Sequence, residues 1–69
     1  MDERVFINGE AQPYAAQTVR ELLQARGADP DLAGIAVAVN GKVVPRGGWA
    51  DHQLAPDDRI EIIRAIAGG

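Results

Sequence analysis

Cysteine is absent from this chain, and that single absence removes several kinds of chemistry. No disulfide, thiolate metal site, iron–sulfur cluster or cysteine nucleophile can be built. A cysteine-free chain suits a reducing compartment, and the expected location is cytoplasmic. Histidine occurs once, at His52 beside Asp51, with nothing nearby in the sequence to complete a triad or a metal set. Trp, Tyr and Phe also occur once each. Trp49 therefore reads as a loop anchor, because basic and aromatic residues are not interleaved as a stacking platform needs. Apolar runs are short, none near the roughly 20 residues of a membrane span. The start, Met1-Asp2-Glu3-Arg4, lacks the basic and apolar regions of a signal peptide. Positive charge is scarce too, with a formal net charge of −3. That balance disfavours nucleic acid and anionic membranes, and suits a partner with a basic docking face. Gly47-Gly48 lies in neither a GxGxxG nor a GxxxxGK[ST] pattern, so no phosphate loop is present.

What is present is one domain. Sixty-nine residues lie near the lower limit for folding on a single hydrophobic core, and a 46% hydrophobic content argues against disorder. Val5-Phe6-Ile7 is β-prone and runs into Asn8-Gly9, a strong two-residue hairpin signal because both residues tolerate positive φ. Alternation sets Val5 and Ile7 inward and Phe6 on the other face. The return strand runs from Glu10 to about Tyr14, and Pro13 restricts it to an edge. Thr18-Val19-Arg20-Glu21 matches a capping box, and the apolar spacing predicts a helix from Val19 to Arg26, closed by Gly27. Ala28 to Gly34 is a loop. Ile35 to Val39 alternates large and small residues, Asn40-Gly41 supplies a second hairpin turn, and Lys42-Val43-Val44 pairs back before Pro45. Arg46 to Trp49 reads as a flexible loop, Asp51 to Leu54 as one helical turn, and Asp57-Asp58 as a turn. Arg59 to Ala65 is the most strand-like run, with Ile60 and Ile62 on one face and Glu61, Ile63 and Ala65 on the other.

This order predicts a two-layer α+β domain: a mixed sheet of four to five strands covered on one face by one main helix. The last strand is expected centrally, beside the first. Residues 1–65 form the domain and residues 66–69 a flexible tail, Ile66-Ala67-Gly68-Gly69. Four extended residues reach roughly 13 Å. Gly68 and Gly69 have no Cβ and can thread a channel too narrow for other residues. Phe6, Ala38, Ile63 and Ala65 form a candidate docking patch on the open face, leading towards the tail. With no nucleophile, metal set or cofactor loop, the chain is not expected to be an enzyme. Its own C-terminal carboxylate remains. A carboxylate is a weak electrophile, so acyl transfer from it requires prior activation, and adenylation by ATP supplies the leaving group.

The chain resembles the ThiS family, the ubiquitin-like β-grasp sulfur carrier proteins of thiamine biosynthesis. The resemblance rests on Phe6-Ile7-Asn8-Gly9-Glu10, Thr18-Val19-Arg20-Glu21-Leu22-Leu23, and Ala38-Val39-Asn40-Gly41-Lys42-Val43-Val44-Pro45-Arg46 with Trp49 close behind. It continues through Asp58-Arg59-Ile60-Glu61-Ile62 to the Gly68-Gly69 end. One departure is Asp57, where the family usually has Gly, and a changed turn geometry is expected there. The resemblance implies that an E1-like adenylyltransferase activates Gly69 with ATP. A persulfide donor such as a cysteine desulfurase then supplies sulfur, and the resulting Gly69 thiocarboxylate serves thiazole synthase. It implies that Gly68 and Ala67 give access to the activating channel, and that no cofactor is bound. The small subunit of molybdopterin synthase shares this fold and chemistry with a different acceptor. A ubiquitin-like protein modifier and a plain interaction domain with an inert tail remain open as well.

Overall fold

The computed structural model describes residues 2–31 and 34–64. Its elements in chain order are β1 (Arg4–Ile7), β2 (Glu10–Pro13), α1 (Val19–Ala25), β3 (Ile35–Val39), β4 (Lys42–Val44), a 3₁₀ turn (Arg46–Gly48) and β5 (Arg59–Arg64). The five strands make one mixed sheet in the order β2-β1-β5-β3-β4. β5 is central, parallel to β1 and antiparallel to β3, while both hairpins are antiparallel. This is the expected α+β architecture, and β2, which carries Pro13, is an edge strand as its proline requires.

Both hairpins turn on Asn-Gly. Asn8 and Gly9 have φ of 50 and 85°, and Asn40 and Gly41 have φ of 53 and 83°. Positive φ at both central residues is the turn whose twist matches a right-handed β ribbon. The turns fix the registers, Ile7 opposite Glu10 and Val39 opposite Lys42, and therefore decide which side chains face the helix.

The first helical N–H groups, which a helix cannot satisfy internally, all find partners. Glu21 N–H donates to Thr18 Oγ1 at 3.2 Å, and Thr18 N–H donates back to Glu21 Oε1 at 2.9 Å. Val19 N–H donates to the His52 carbonyl at 3.0 Å and Arg20 N–H to the Trp49 carbonyl at 3.1 Å. These bonds explain one departure from expectation. Asp51 to Leu54 forms no helical turn; Gln53 bridges to Thr18 and Leu54 N–H donates to Gln17 O, so the segment runs alongside the helix start. The helix ends at Ala25, one residue early, with Arg26 as C-cap and Gly27 at φ 78°.

Val19, Leu22 and Leu23 of α1 meet Val5, Ile7, Val37, Val39 and Ile60 of the sheet. Trp49 closes the core at 2% exposure and donates its indole N–H to the Val44 carbonyl at 2.9 Å. The Arg46 guanidinium stacks over the indole, 4.6 Å from the ring centroid, and also donates to the Pro30 carbonyl. Arg46 to Trp49 is thus a fastened 3₁₀ turn, where glycine content alone suggested a flexible loop. Burial of the indole fixes the backbone on either side of it.

Candidate functional site

The sheet face opposite α1 carries Phe6, Ala38 and Ile63 of the candidate docking residues, and the register says how they lie. Phe6 stands beside Arg59, Ala38 beside Glu61, and Ala36 beside Ile63. Phe6, Ala38 and Ile63 therefore share one face. They do not form one continuous apolar surface, because Arg59 and Glu61 occupy the central strand between Phe6 and the rest. The Arg59 guanidinium lies 5.1 Å from the Phe6 ring centroid, over its face. The continuous apolar stretch is instead Ile63, Ala36, Ala38 and Val43, of which Ile63 is 59% and Val43 74% exposed. Val43 escaped the sequence reading, although a two-residue turn at Asn40-Gly41 already sets it opposite Ala38. Ala65, Ala67, Gly68 and Gly69 lie outside the described residues.

β5 is held at both ends by asparagine side chains. On the β1 side, Asn8 N–H donates to Ile60 O at 2.9 Å, after which the chain turns away. Its carboxamide then takes over: Oδ1 accepts from Ile62 N–H at 2.8 Å, and Nδ2 donates to Ile62 O at 3.3 Å. On the β3 side, Asn40 Oδ1 accepts from Arg59 N–H at 2.9 Å. Asn40 Nδ2 donates to Asp58 Oδ1 at 2.9 Å, and Asp58 Oδ2 accepts from Ala55 N–H at 2.8 Å. Asp57 lies in this turn at φ 70°, its N–H donating to the Arg4 carbonyl at 2.6 Å. Asp57 takes up the left-handed conformation that glycine adopts most readily, which Asp tolerates better than most residues.

Among the described residues, no group of three or more His, Asp and Glu is placed to hold a metal ion. His52 is half-buried, its backbone carbonyl occupied by the helix start. Arg20 and Asp31 form an ion pair at 3.1 Å on the helix layer, away from the open face. Their hydrogen bond, reinforced by charge attraction, holds the Asp31 carboxyl below its ordinary range and raises the Arg20 guanidinium further. No helix among the described residues is long and apolar enough to cross a membrane.

Comparison with known proteins decides the family. The family model described as "ThiS family" matches residues 5–69, nearly the whole chain. The chain belongs to the ThiS family.

Sulfur carrier protein ThiS of Escherichia coli K12 is 42% identical over 67 residues, spanning 96% of this chain and 98% of that protein. The solved structure of a thiamine biosynthesis protein (ThiS) from Geobacter metallireducens superposes with a TM-score of 0.78 at 23% identity. It covers 96% of this chain and 99% of that one, and so shows the shared β-grasp fold. A thiazole synthase of Paramagnetospirillum magneticum is 34% identical over 67 residues, which span 96% of this chain but 20% of that longer protein. Membership in the ThiS family, with these relatives, makes the chain a sulfur carrier for thiamine biosynthesis.

Proposed function

We propose that the Gly69 carboxylate is the atom group on which this carrier bears sulfur. The observation that carries this reading is the reach of the family match, which runs through Gly68 to Gly69 itself. The chain acts as a protein co-substrate, and its partner enzymes supply the catalysis. An E1-like adenylyltransferase directs a Gly69 carboxylate oxygen onto the α-phosphorus of ATP, releasing pyrophosphate. The adenylate is attacked by the terminal sulfur of a persulfide donor, such as a cysteine desulfurase, and AMP leaves. A thiol then attacks the remaining S–S bond, supplying the two electrons that convert sulfane sulfur into the thiocarboxylate. With no Cβ on Gly68 or Gly69, the attacking group meets an unhindered carbonyl.

Thiazole synthase is the proposed acceptor. The chain-length match inside a longer protein of that name supports it, since joining two proteins in one chain favours those that work together. The open sheet face is the proposed docking surface for these partners, with Ile63, Ala38 and Val43 as its apolar part and Phe6 under Arg59 at its margin. Ala65 and Ala67 lie between this face and Gly69 in the sequence, and are proposed to give the tail access to its partners.

Intact mass before and after incubation with the adenylyltransferase, ATP and a cysteine-derived sulfur source tests the reading. A gain equal to one oxygen-for-sulfur exchange, absent when Gly69 is deleted, is the expected result. An unchanged mass, with the enzyme shown competent on another carrier, would overturn it. Gly69→Ala should fold as the native chain does and lose most of the gain.

A further inference from the structure

In a parallel ladder, a residue that donates to its neighbour's carbonyl accepts, through its own carbonyl, from the amide two residues further on. Asn8 makes the first of these bonds, to Ile60 O, with its backbone. It cannot make the second with its backbone, because φ of 50° carries the chain into the turn. The side-chain carboxamide occupies that position: its Oδ1 replaces the missing bond by accepting from Ile62 N–H, and its Nδ2 adds a second by donating to Ile62 O. β1 ends here, whereas β5 continues to Arg64. Asn8 is therefore the last attachment of β5 to the β1 side of the sheet among the described residues, made at Ile62, seven positions before Gly69, whereas the β3 side stays paired to Arg64.

We infer that Asn8 is a positioning residue for sulfur loading: its carboxamide fixes the β1 side of β5 at the point beyond which only β3 still pairs with it, as far as Ile35 opposite Arg64, and so helps set where the C-terminal segment is delivered. The inference rests on Gly69 being the covalent site. Fixing the root of a reacting segment matters because misplacement by about 1 Å can cost a large factor in rate without a matching loss of binding. Asn40 makes the corresponding side-chain bond at the far end of the strand, to Arg59 N–H, ten positions from Gly69. It steadies the same strand but not its exit.

The two asparagines provide the test. Both have positive φ, so Asn8→Gly and Asn40→Gly each keep the hairpin turn and remove only the side chain. Pyrophosphate release is followed with the adenylyltransferase and ATP while the carrier concentration varies, at a temperature where every variant is folded. For Asn8→Gly the expected kcat is lower by about tenfold with KM within about twofold, while Asn40→Gly keeps both near the native values. Asn8→Asp is not expected to rescue kcat, since it sets an oxygen against the Ile62 carbonyl. Hydrogen exchange at the Ile62 amide should speed up in Asn8→Gly and not in Asn40→Gly. Native kcat in Asn8→Gly would overturn the inference, and so would equal kcat losses in the two glycine variants, which would mark general loosening of the fold. If the native carrier itself releases no pyrophosphate with an enzyme competent on another carrier, the Gly69 reading fails first and takes this inference with it.

Discussion

The Trp49 indole N–H donates to the Val44 carbonyl across 2.9 Å, joining the 3₁₀ turn to the edge strand β4 inside the core. Trp49→Phe keeps an aromatic ring but leaves that carbonyl without its donor and opens a void. The expected loss is about 2–3 kcal/mol, combining an unsatisfied buried acceptor with lost packing. Urea denaturation of native and variant protein, compared at equal m-value, reads it.

Asp57 holds φ of 70° while its N–H bonds Arg4 O. A left-handed L-residue is strained by roughly 1–2 kcal/mol, whereas glycine costs about 0.4–1 kcal/mol through its freer unfolded chain. Asp57→Gly should therefore raise stability by up to about 1 kcal/mol. A lower melting temperature in calorimetry would refute this account of the turn.

Thr18 is buried and engaged in both directions with Glu21. Thr18→Ala should lower stability by about 1 kcal/mol, as loss of an N-cap does. Glu21→Ala added to it should cost a further amount, because it removes a separate bond, the one from Thr18 N–H to Glu21 Oε1. A double-mutant cycle by thermal denaturation gives the coupling.

The Arg20–Asp31 pair gives a pH signature. Asp31 has a lowered folded pKa, so its contribution is present above the unfolded value and lost as pH falls through the folded one. Arg20, raised further, keeps its charge throughout. The stability difference between native protein and Asp31→Asn should accordingly shrink on acidification below about pH 4. Both groups are solvent-exposed, so added salt should shrink it as well. A difference that is flat in pH and salt would show that the pair contributes nothing.

Ile60 is 1% exposed, whereas Ile62 on the same face is only half-buried. Ile60→Asp should abolish the cooperative melting transition, by placing a charge in the core. Ile62→Asp, at the margin, should lower the midpoint and leave a transition to measure.

That last contrast shows where sequence reading reached and where it stopped. Alternation separated Ile60 and Ile62 from Glu61 and Ile63 correctly, because side-chain period in a strand is a local property. It could not grade the two isoleucines, since burial depends on how far the seven-residue helix extends over the sheet. The Asn-Gly turns and the Thr18–Glu21 box were legible for the same local reason. Trp49 was legible as an anchor, but its 3₁₀ turn was not, because Gly47-Gly48 favours no single conformation until the indole is buried. The role of Asp51 to Leu54 was hidden because its carbonyls and amides serve a helix some thirty positions earlier. On the open face, the charged pair Arg59 and Glu61 could be placed on their strand. That they divide Phe6 from Ala38 required the cross-strand register, which no single strand contains.

The strand that leads to Gly69 is also the middle of the sheet, paired with β1 across 54 positions of sequence between Asn8 and Ile62. During synthesis the two hairpins can form as they emerge, but they have nothing between them to join. The sheet closes only after β5 has left the ribosome, when the longest loop in the molecule is shut. A product truncated before that point exposes two unpaired strand edges and is a substrate for proteolysis. Any molecule with a closed sheet therefore already contains β5, the strand that precedes residues 65–69 in the sequence.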